Sequence, residues 1–457
     1  MSEFSAQGTR DEVRRLLALA APVAISQLGG MLLGVVDMMM LGHVGSAELA
    51  AATLGNLVLM GTTIPIMGIL MGADPLMSQA HGAGDKARIA LLAQRALAMI
   101  PLVSIPLFIA GFFAPQLLAL FHQPEQLIPL ARTYILINLP ALPLILCFQV
   151  GRQYLQSRGI VRPAMWIMLG VNLVNVFGNW VLIYGNLGAP ALGLSGSAIS
   201  TCVTRSAMVV ALVIWIRRAR LHEGYWRPWD RLSFKLSGLR EIAVIGLPIT
   251  ISLAVEMWAF QIAGLMAGGL GEKALAAHSM VFQILALVFM VPLGISIGSS
   301  VRVGNLIGAG DSAGAQRTGY VALALAGVFM SVVSMAFVAG RNVLPLAFTS
   351  EPELVATAAM LFPIAAAFQI FDGAQTVCTG ILRGMGSTRL PAVAHGVGFY
   401  ALGLPAAWLM LRTGDAELTD IWWGLCIGLM VVSSLMVAWV HWRGPKTAVA
   451  LAAASAG

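Results

Sequence analysis

The chain has 457 residues, 58% of them apolar and only 10% charged, with a mean hydropathy of +0.85. A soluble domain carries about a quarter charged residues, so this composition excludes a water-soluble globule and indicates a multi-spanning membrane protein. The formal charge of +7 invites a nucleic-acid reading, but the basic residues are placed in alternate loops between apolar runs, which says otherwise.

The amino-terminal stretch MSEFSAQGTRDEVRR is polar and mixed in charge. The apolar run behind it is too long for a signal-peptide core, so the first helix is expected to be retained. Twelve apolar runs of spanning length follow, at roughly 16–41, 47–72, 89–119, 127–151, 163–185, 191–216, 242–267, 274–300, 317–339, 354–381, 391–411 and 420–442. About 20 helical residues at ~1.5 Å each cross the hydrocarbon. Lipid-embedded segments must satisfy their own backbone hydrogen bonds, so runs of this length are predicted helices, an all-α integral membrane protein. Pro22, Pro65, Pro248, Pro292 and Pro405 fall inside runs and predict kinks. Cys147, Cys202, Cys378 and Cys426 also fall inside runs and show no metal spacing, which makes them packing residues.

With both termini assigned to the cytoplasm, 22 of the 27 Lys and Arg lie on the terminal and even-numbered segments. Seven are in 217–240 alone: Arg217, Arg218, Arg220, Arg227, Arg231, Lys235 and Arg240. The odd-numbered loops are short and acidic, with Glu48, Glu125, Glu272, Glu351, Glu353, Asp415 and Asp420. This is the positive-inside pattern, so the basic excess is topological.

The stretch 217–240 is the one long polar interruption. It divides the chain into an amino-terminal six-helix bundle (1–216), a cytoplasmic linker (217–240) and a carboxy-terminal six-helix bundle (241–457). The halves are related: an ungapped shift of 226 residues lays Pro22 on Pro248, Ser26 on Ser252, Gly42 on Gly268, and HGAGD (81–85) on IGAGD (307–311). Over 22–85 against 248–311 the shift gives 18 identities in 64 positions. Six helices per repeat start both halves on the same side, which predicts two pseudo-symmetric bundles about an axis along the membrane normal, with a substrate site between them near the midplane. The GAGD loops lack the preceding strand and the GK[ST] of a phosphate loop, and read as cytoplasmic turns. Without an ATP site, transport is driven by an ion gradient or is passive.

Four acids sit in or close to spans: Asp37, Asp74, Glu256 and Asp372. A carboxylate at a helix centre costs about 2.5–3.5 kcal/mol on insertion scales, so such residues face a cavity and usually function. Burial favours the neutral acid, which makes Glu256 and Asp372 candidates for proton exchange. The competing reading is a structural acid, either paired with a buried Arg, Arg205 being the one Arg near mid-span, or satisfied by hydroxyls and amides. Asp74, in GADPLMSQ close to a cytoplasmic turn, reads as a helix-end residue. In NLVNVFGNW, Asn172, Asn175 and Asn179 share one helical face. With Asp37 and Thr201 they offer hard oxygen ligands of the kind alkali cations prefer, or an interhelical hydrogen-bond seam; spacing alone admits both. Trp258, Phe260, Phe282, Phe289, Phe368 and Phe371 crowd the same helices. Most read as packing, and those beside the acids suit flat cationic ligands; Gln283 is a further polar candidate.

On these residues the chain resembles the multidrug and toxic compound extrusion (MATE) transporters, NorM-like branch, over essentially its whole length. The resemblance rests on the two six-helix repeats, PVAISQLGGMLLGVVDMMMLGHVG with Asp37, PITISLAVEMW with Glu256, FQIFDGAQ with Asp372, and ILRGMGSTRLPA at 381–392. It implies the MATE fold and secondary active efflux of organic, often aromatic, cations by antiport with H⁺ and/or Na⁺. It also implies no cofactor, a monomer in the bacterial inner membrane, and no enzymatic activity. By resemblance, Glu256 and Asp372 form one cation site and Asp37, Asn175, Asn179 and Thr201 a second; the reading of the residues themselves makes Glu256, Asp372, Gln283, Trp258, Phe368 and Phe371 the candidate substrate contacts. Phe368 stands where some relatives have Tyr, and Asn179 where others have Asp, which removes oxygen or charge from a Na⁺ shell. The alternative is a lipid-linked oligosaccharide flippase of the same superfamily, which calls for basic residues around pyrophosphate. No HExxH, GxSxG or Cys/His constellation supports an enzyme.

The topology is testable by single-cysteine labelling in intact cells, on a background lacking the native cysteines. A cysteine at position 272 should react with an impermeant maleimide and one at 230 should be protected; the reverse pattern refutes the assignment.

Overall fold

The computed structural model describes residues 6–121, 123–413 and 416–448. Asp415 and the first five residues of the polar amino terminus lie outside them. Twelve helices among the described residues are long and apolar enough to cross a membrane: α1 Gly8–Gly42, α2 Ser46–Gly82, α3 Lys86–Phe112, α4 Ile128–Gln156, α5 Arg162–Leu182, α6 Gly193–Arg218, α7 Leu236–Gly269, α8 Glu272–Gly308, α9 Ser312–Gly340, α10 Pro352–Met385, α11 Arg389–Thr413 and α12 Leu418–Arg443. Each predicted run becomes one of them.

The chain forms two compact units. The carboxy unit takes the described residues up to Ala24, Asp74–Gly84, and those from Leu247 onward; the amino unit takes Ile25–Ala73 and Asp85–Gly246. The four boundaries fall beside Pro22 in α1, just after the interruption of α2 at Gly72, at the turn between Gly84 and Asp85, and beside Pro248 in α7. Asp74 occupies the first turn of the helical piece that follows Gly72, where a helix N-terminus favours a carboxylate.

In the amino unit, Asp85 caps α3 by accepting from the Arg88 N–H (2.9 Å). The linker is fastened to the same unit rather than free. Glu241 takes both Arg88 (2.8 Å) and Arg95 (3.2 Å). Gln94 donates to the Arg227 carbonyl (2.7 Å) and accepts from Ser233 Oγ (2.8 Å). Arg158 donates to the Leu221 carbonyl (2.6 Å) and lies 3.8 Å over the Tyr225 ring.

In the carboxy unit, α1 begins with Glu12, buried and held bidentately by Arg302 of α8 (3.0 and 3.2 Å), with Thr318 of α9 donating to it at 2.6 Å. Helix α10 is central. A Cβ on Gly380 would run into the Ser296 carbonyl of α8, and one on Gly384 into that of Ser300. Small residues therefore let the two backbones touch, the usual device where lipid provides no hydrophobic drive between helices. The internal repeat is visible in this packing. Gly82 abuts the Asn305 carbonyl and Gly308 abuts the Gln79 carbonyl, and each residue of one contact is the 226-residue equivalent of a residue in the other.

Helix α11 is not a regular α-helix. Residues Gly396–Gly403 are π-helical, ending two residues before Pro405. Proline has no N–H and its ring clashes with the carbonyl four residues back; widening the preceding turn relieves both. His395 is the last residue before this widened segment.

Gly380→Val should lower stability by about 1–3 kcal/mol through overpacking at the α8–α10 crossing. Gly327→Ala, which has open space around its Cβ position, should be neutral or stabilising by up to about 1 kcal/mol. Thermal unfolding in detergent reads both, and equal melting temperatures for the two variants would refute the packing account.

Candidate functional site

Each unit carries its own polar cluster. In the amino unit, α1 places Asp37 inward and buried, against α5 and α6. Asp37 Oδ1 accepts from Asn179 Nδ2 (2.6 Å) and Oδ2 from Thr201 Oγ1 (3.1 Å). Asn179 Nδ2 also reaches Asn175 Oδ1 at 3.4 Å, and Ser200 Oγ donates to the Asn175 carbonyl at 3.3 Å. The i, i+4 spacing of Asn175 and Asn179 on α5 sets them one turn apart on the face toward Asp37. Two of the residues predicted from sequence, Asn179 and Thr201, thus bond to the Asp37 carboxylate, and Asn175 joins them through Asn179. Asn172, on the same face, instead ties α5 to α1 by donating to the Gly29 carbonyl (3.0 Å). Arg205, one turn from Thr201 on α6, interacts electrostatically with Asp37 and Tyr134. It belongs to this cluster and not to the acids of the carboxy unit.

Buried polar groups are normally paired, yet Asn175 Nδ2, Asn179 Oδ1, Ser197 Oγ and Arg205 Nη1 are buried without a protein partner. A carboxylate with a free amide oxygen beside it, on three helices, is a donor set that fits a small hard cation or a proton with water.

In the carboxy unit, α7 brings Glu256 and α10 brings Asp372 to the same amide. Gln375 Nε2 donates to Glu256 Oε1 (2.9 Å) and Asp372 Oδ1 (3.1 Å), with Thr376 Oγ1 a third acceptor at 3.2 Å. The other end of that amide, Oε1, lies 2.9 Å from His395 Nε2, and His395 Nδ1 lies 2.7 Å from Ser252 Oγ. Asp372, Gln375, His395 and Ser252 are buried and Glu256 half-buried. A cavity of ≈ 30 Å³ borders Glu256, Ser252 and His395 and continues past Thr379 to Arg383 and Thr388. At about 10–15 Å³ per water centre it admits a few waters and no drug-sized molecule.

An aromatic layer lies one helical turn from this polar layer. Phe260 is four residues after Glu256, Phe368 four before Asp372, and Phe399 four after His395. The Phe260 ring is 6.1 Å from Phe368, 5.5 Å from Phe399 and 5.3 Å from Phe282. Phe368 also meets Trp422 at 6.0 Å. Of the predicted substrate contacts, Phe368 is thus a buried member of this layer and Phe371 is half-buried. Trp258 and Gln283 are exposed and are not brought into the polar cluster.

Sequence reasoning missed Gln375, His395 and Ser252. Two of them carried a signal: Gln375 follows Asp372 by three residues and Ser252 precedes Glu256 by four, so each shares a helical face with an acid. His395 carried none.

The MatE family profile matches residues 22–181 and 248–409, two segments starting 226 residues apart, the offset of the internal repeat. The chain is 35% identical over 428 residues to the multidrug resistance protein NorM of Burkholderia vietnamiensis, covering 92% of each chain. It is 32% identical over 417 residues to multidrug and toxin extrusion protein 1 of Xenopus tropicalis, covering 91% of this chain and 71% of that one. In fold it is similar to the crystal structure of the eukaryotic MATE transporter AtDTX14, with a TM-score of 0.89 at 22% identity over 96% of this chain and 97% of that one.

The Asp37 cluster makes a stability prediction with a definite sign. Asp37→Asn keeps an acceptor for Asn179 and offers an N–H that the Thr201 hydroxyl can accept, and the charge it removes, costing about 2.5–3.5 kcal/mol in hydrocarbon, offsets the attraction to Arg205 that it loses; it should melt well above Asp37→Leu. Asp37→Leu strands two buried donors and should cost about 2–6 kcal/mol. Thermal unfolding in detergent distinguishes them, and Asp37→Asn melting as low as Asp37→Leu would sink the account.

Proposed function

We propose that this chain, which belongs to the MatE family of multidrug and toxic compound extrusion transporters, exports small organic cations, often aromatic, by antiport with H⁺, Na⁺ or both. It is a multi-pass membrane transporter driven by an ion gradient, not an enzyme. We place it in the bacterial inner membrane as a monomer with both termini cytoplasmic, the bundles 1–216 and 241–457 alternating access and 217–240 linking them.

The observation that carries the reading is the convergence of Glu256 and Asp372 on the one amide of Gln375. Two acids so placed compete for the same few donors and act on each other electrostatically. Their titrations are coupled, and cation binding relieves the repulsion. A midplane carboxylate serves a driving ion or a cationic cargo, but not both well. Occupancy by the ion neutralises the charge, weakens cargo binding and lets the cavity reclose in its less costly neutral form. The adjacent aromatic layer supplies faces for stacking and cation–π contact. The Asp37 cluster, with its unpartnered amide oxygen, is the second ion-responsive element in this reading. A flippase would need cations around a pyrophosphate; here acids occupy the centre of the polar layer, and Arg383, at the far end of the cavity, interacts electrostatically with Asp74.

Reconstituted into proteoliposomes loaded with a fluorescent organic cation, wild type should respond to an imposed proton or sodium gradient. Glu256→Gln should lose gradient-driven efflux by at least about tenfold and lose most of the ion dependence of cargo binding. Glu256→Asp should retain part of the activity, since the charge survives with shorter reach. Normal ion-dependent efflux by Glu256→Gln would make the carboxylate structural.

A further inference from the structure

The orientation of the Gln375 amide has a chemical cause. Ionised carboxylates only accept hydrogen bonds, so with both acids ionised the group facing Glu256 Oε1 and Asp372 Oδ1 is the amide nitrogen. The amide oxygen then faces His395, 2.9 Å away, and requires an N–H on His395 Nε2. In the neutral ring Nδ1 is left as an acceptor, and Ser252 Oγ, at 2.7 Å, is the hydroxyl that donates to it. The chain of bonds runs from α7 (Ser252) through α11 (His395) and α10 (Gln375) back to α7 (Glu256), and every link has one polarity. Reversing the amide would set its oxygen against two carboxylates and its NH₂ against the His395 N–H, so all the links turn together or none does.

We propose that His395 and Ser252, acting through Gln375, determine which ion this unit exchanges: they hold an amide donor, rather than an amide oxygen, toward Glu256 and Asp372, and so close the acid pair to Na⁺. An alkali cation needs several oxygen ligands around it. Here one oxygen of each carboxylate is occupied by an N–H, and the positive end of the amide dipole faces both acids. A proton needs one lone pair and no coordination shell, and the small cavity beside Glu256 supplies water for its passage. The other charged groups at this cavity and its end are Arg383 and, in electrostatic reach of it, Asp74. His395 and Ser252 touch neither carboxylate in the bonding pattern; they are positioning residues. The inference rests on the reading that Glu256 and Asp372 exchange the driving ion.

The test uses the full-length chain in proteoliposomes, comparing efflux of a fluorescent cation under a sodium gradient alone and under a proton gradient alone. His395→Leu removes the donor that claims the Gln375 oxygen; its ratio of sodium-driven to proton-driven efflux should rise about tenfold over wild type. His395→Gln, which can donate a side-chain N–H, should restore the wild-type ratio. Ser252→Ala, a milder change that frees the ring tautomer, should shift the ratio the same way by less, and serves if His395→Leu does not fold. As a second measurement, NaCl in place of choline chloride should raise the melting temperature of His395→Leu on an Asp37→Asn background, where the amino-unit cluster has lost its charge, and leave Asp37→Asn alone unchanged. A wild-type ion ratio in both His395→Leu and Ser252→Ala overturns this inference and leaves the transport reading intact. Failure of wild type to respond to either gradient overturns both.

Discussion

A carboxylate taken into hydrocarbon must be solvated by the protein itself, and the arrangement of both units follows from how that is done. In the amino unit neutral donors from α5 and α6 surround a single acid, with the Arg205 guanidinium close enough to act on it. In the carboxy unit two acids draw on one amide, and that amide is locked from behind by a histidine and a serine. The first arrangement spreads a charge over several weak partners. The second concentrates charge on one amide and fixes which end of that amide the acids meet.

The internal repeat does not repeat this chemistry. At a shift of 226, Glu256 falls on Gly30 and Asp37 on Ala263. What survives the shift is packing: Pro22 with Pro248, Gly72 with Gly298, Gly82 with Gly308. Equivalent glycines face equivalent partners, Gly72 against Gly246 in the amino unit and, less tightly, Gly298 against Ala20 in the carboxy unit, and these partners are themselves related by the same shift. Backbone contact tolerates only the smallest residues, so these positions resist change. Polar residues facing a cavity meet no such limit, and the two halves have come to hold different acids on one scaffold.

The irregular stretch of α11 fits the same division. Pro405 widens the turns before it, and the widened segment begins next to His395, the residue that sets the Gln375 amide. π-Helical turns inside helices occur frequently at functional sites, because the extra residue re-aims side chains without ending the helix. Its neighbour Phe399 lies in the aromatic layer, so polar and aromatic layers are positioned by the same local distortion.

Twelve helices were legible in the sequence because the bilayer imposes one simple rule: about 20 apolar residues per crossing, with the backbone satisfied internally. The repeat was legible because it is written in a continuous register. Asp37, Glu256 and Asp372 stood out because charge in hydrocarbon is costly wherever it occurs, and Asn175 and Asn179 because a helix converts i, i+4 spacing into a shared face. None of this told which helices bring these faces together. That Arg205 lies with Asp37, that Glu256 reaches the Gln375 beside Asp372, and that a histidine with no distinguishing context fixes the orientation of that amide depend on contacts between residues 20 to 168 positions apart. A side chain's spacing along its own helix is a local property that sequence displays directly; its partner on another helix is chosen by how whole helices pack, and only the tertiary structure decides that.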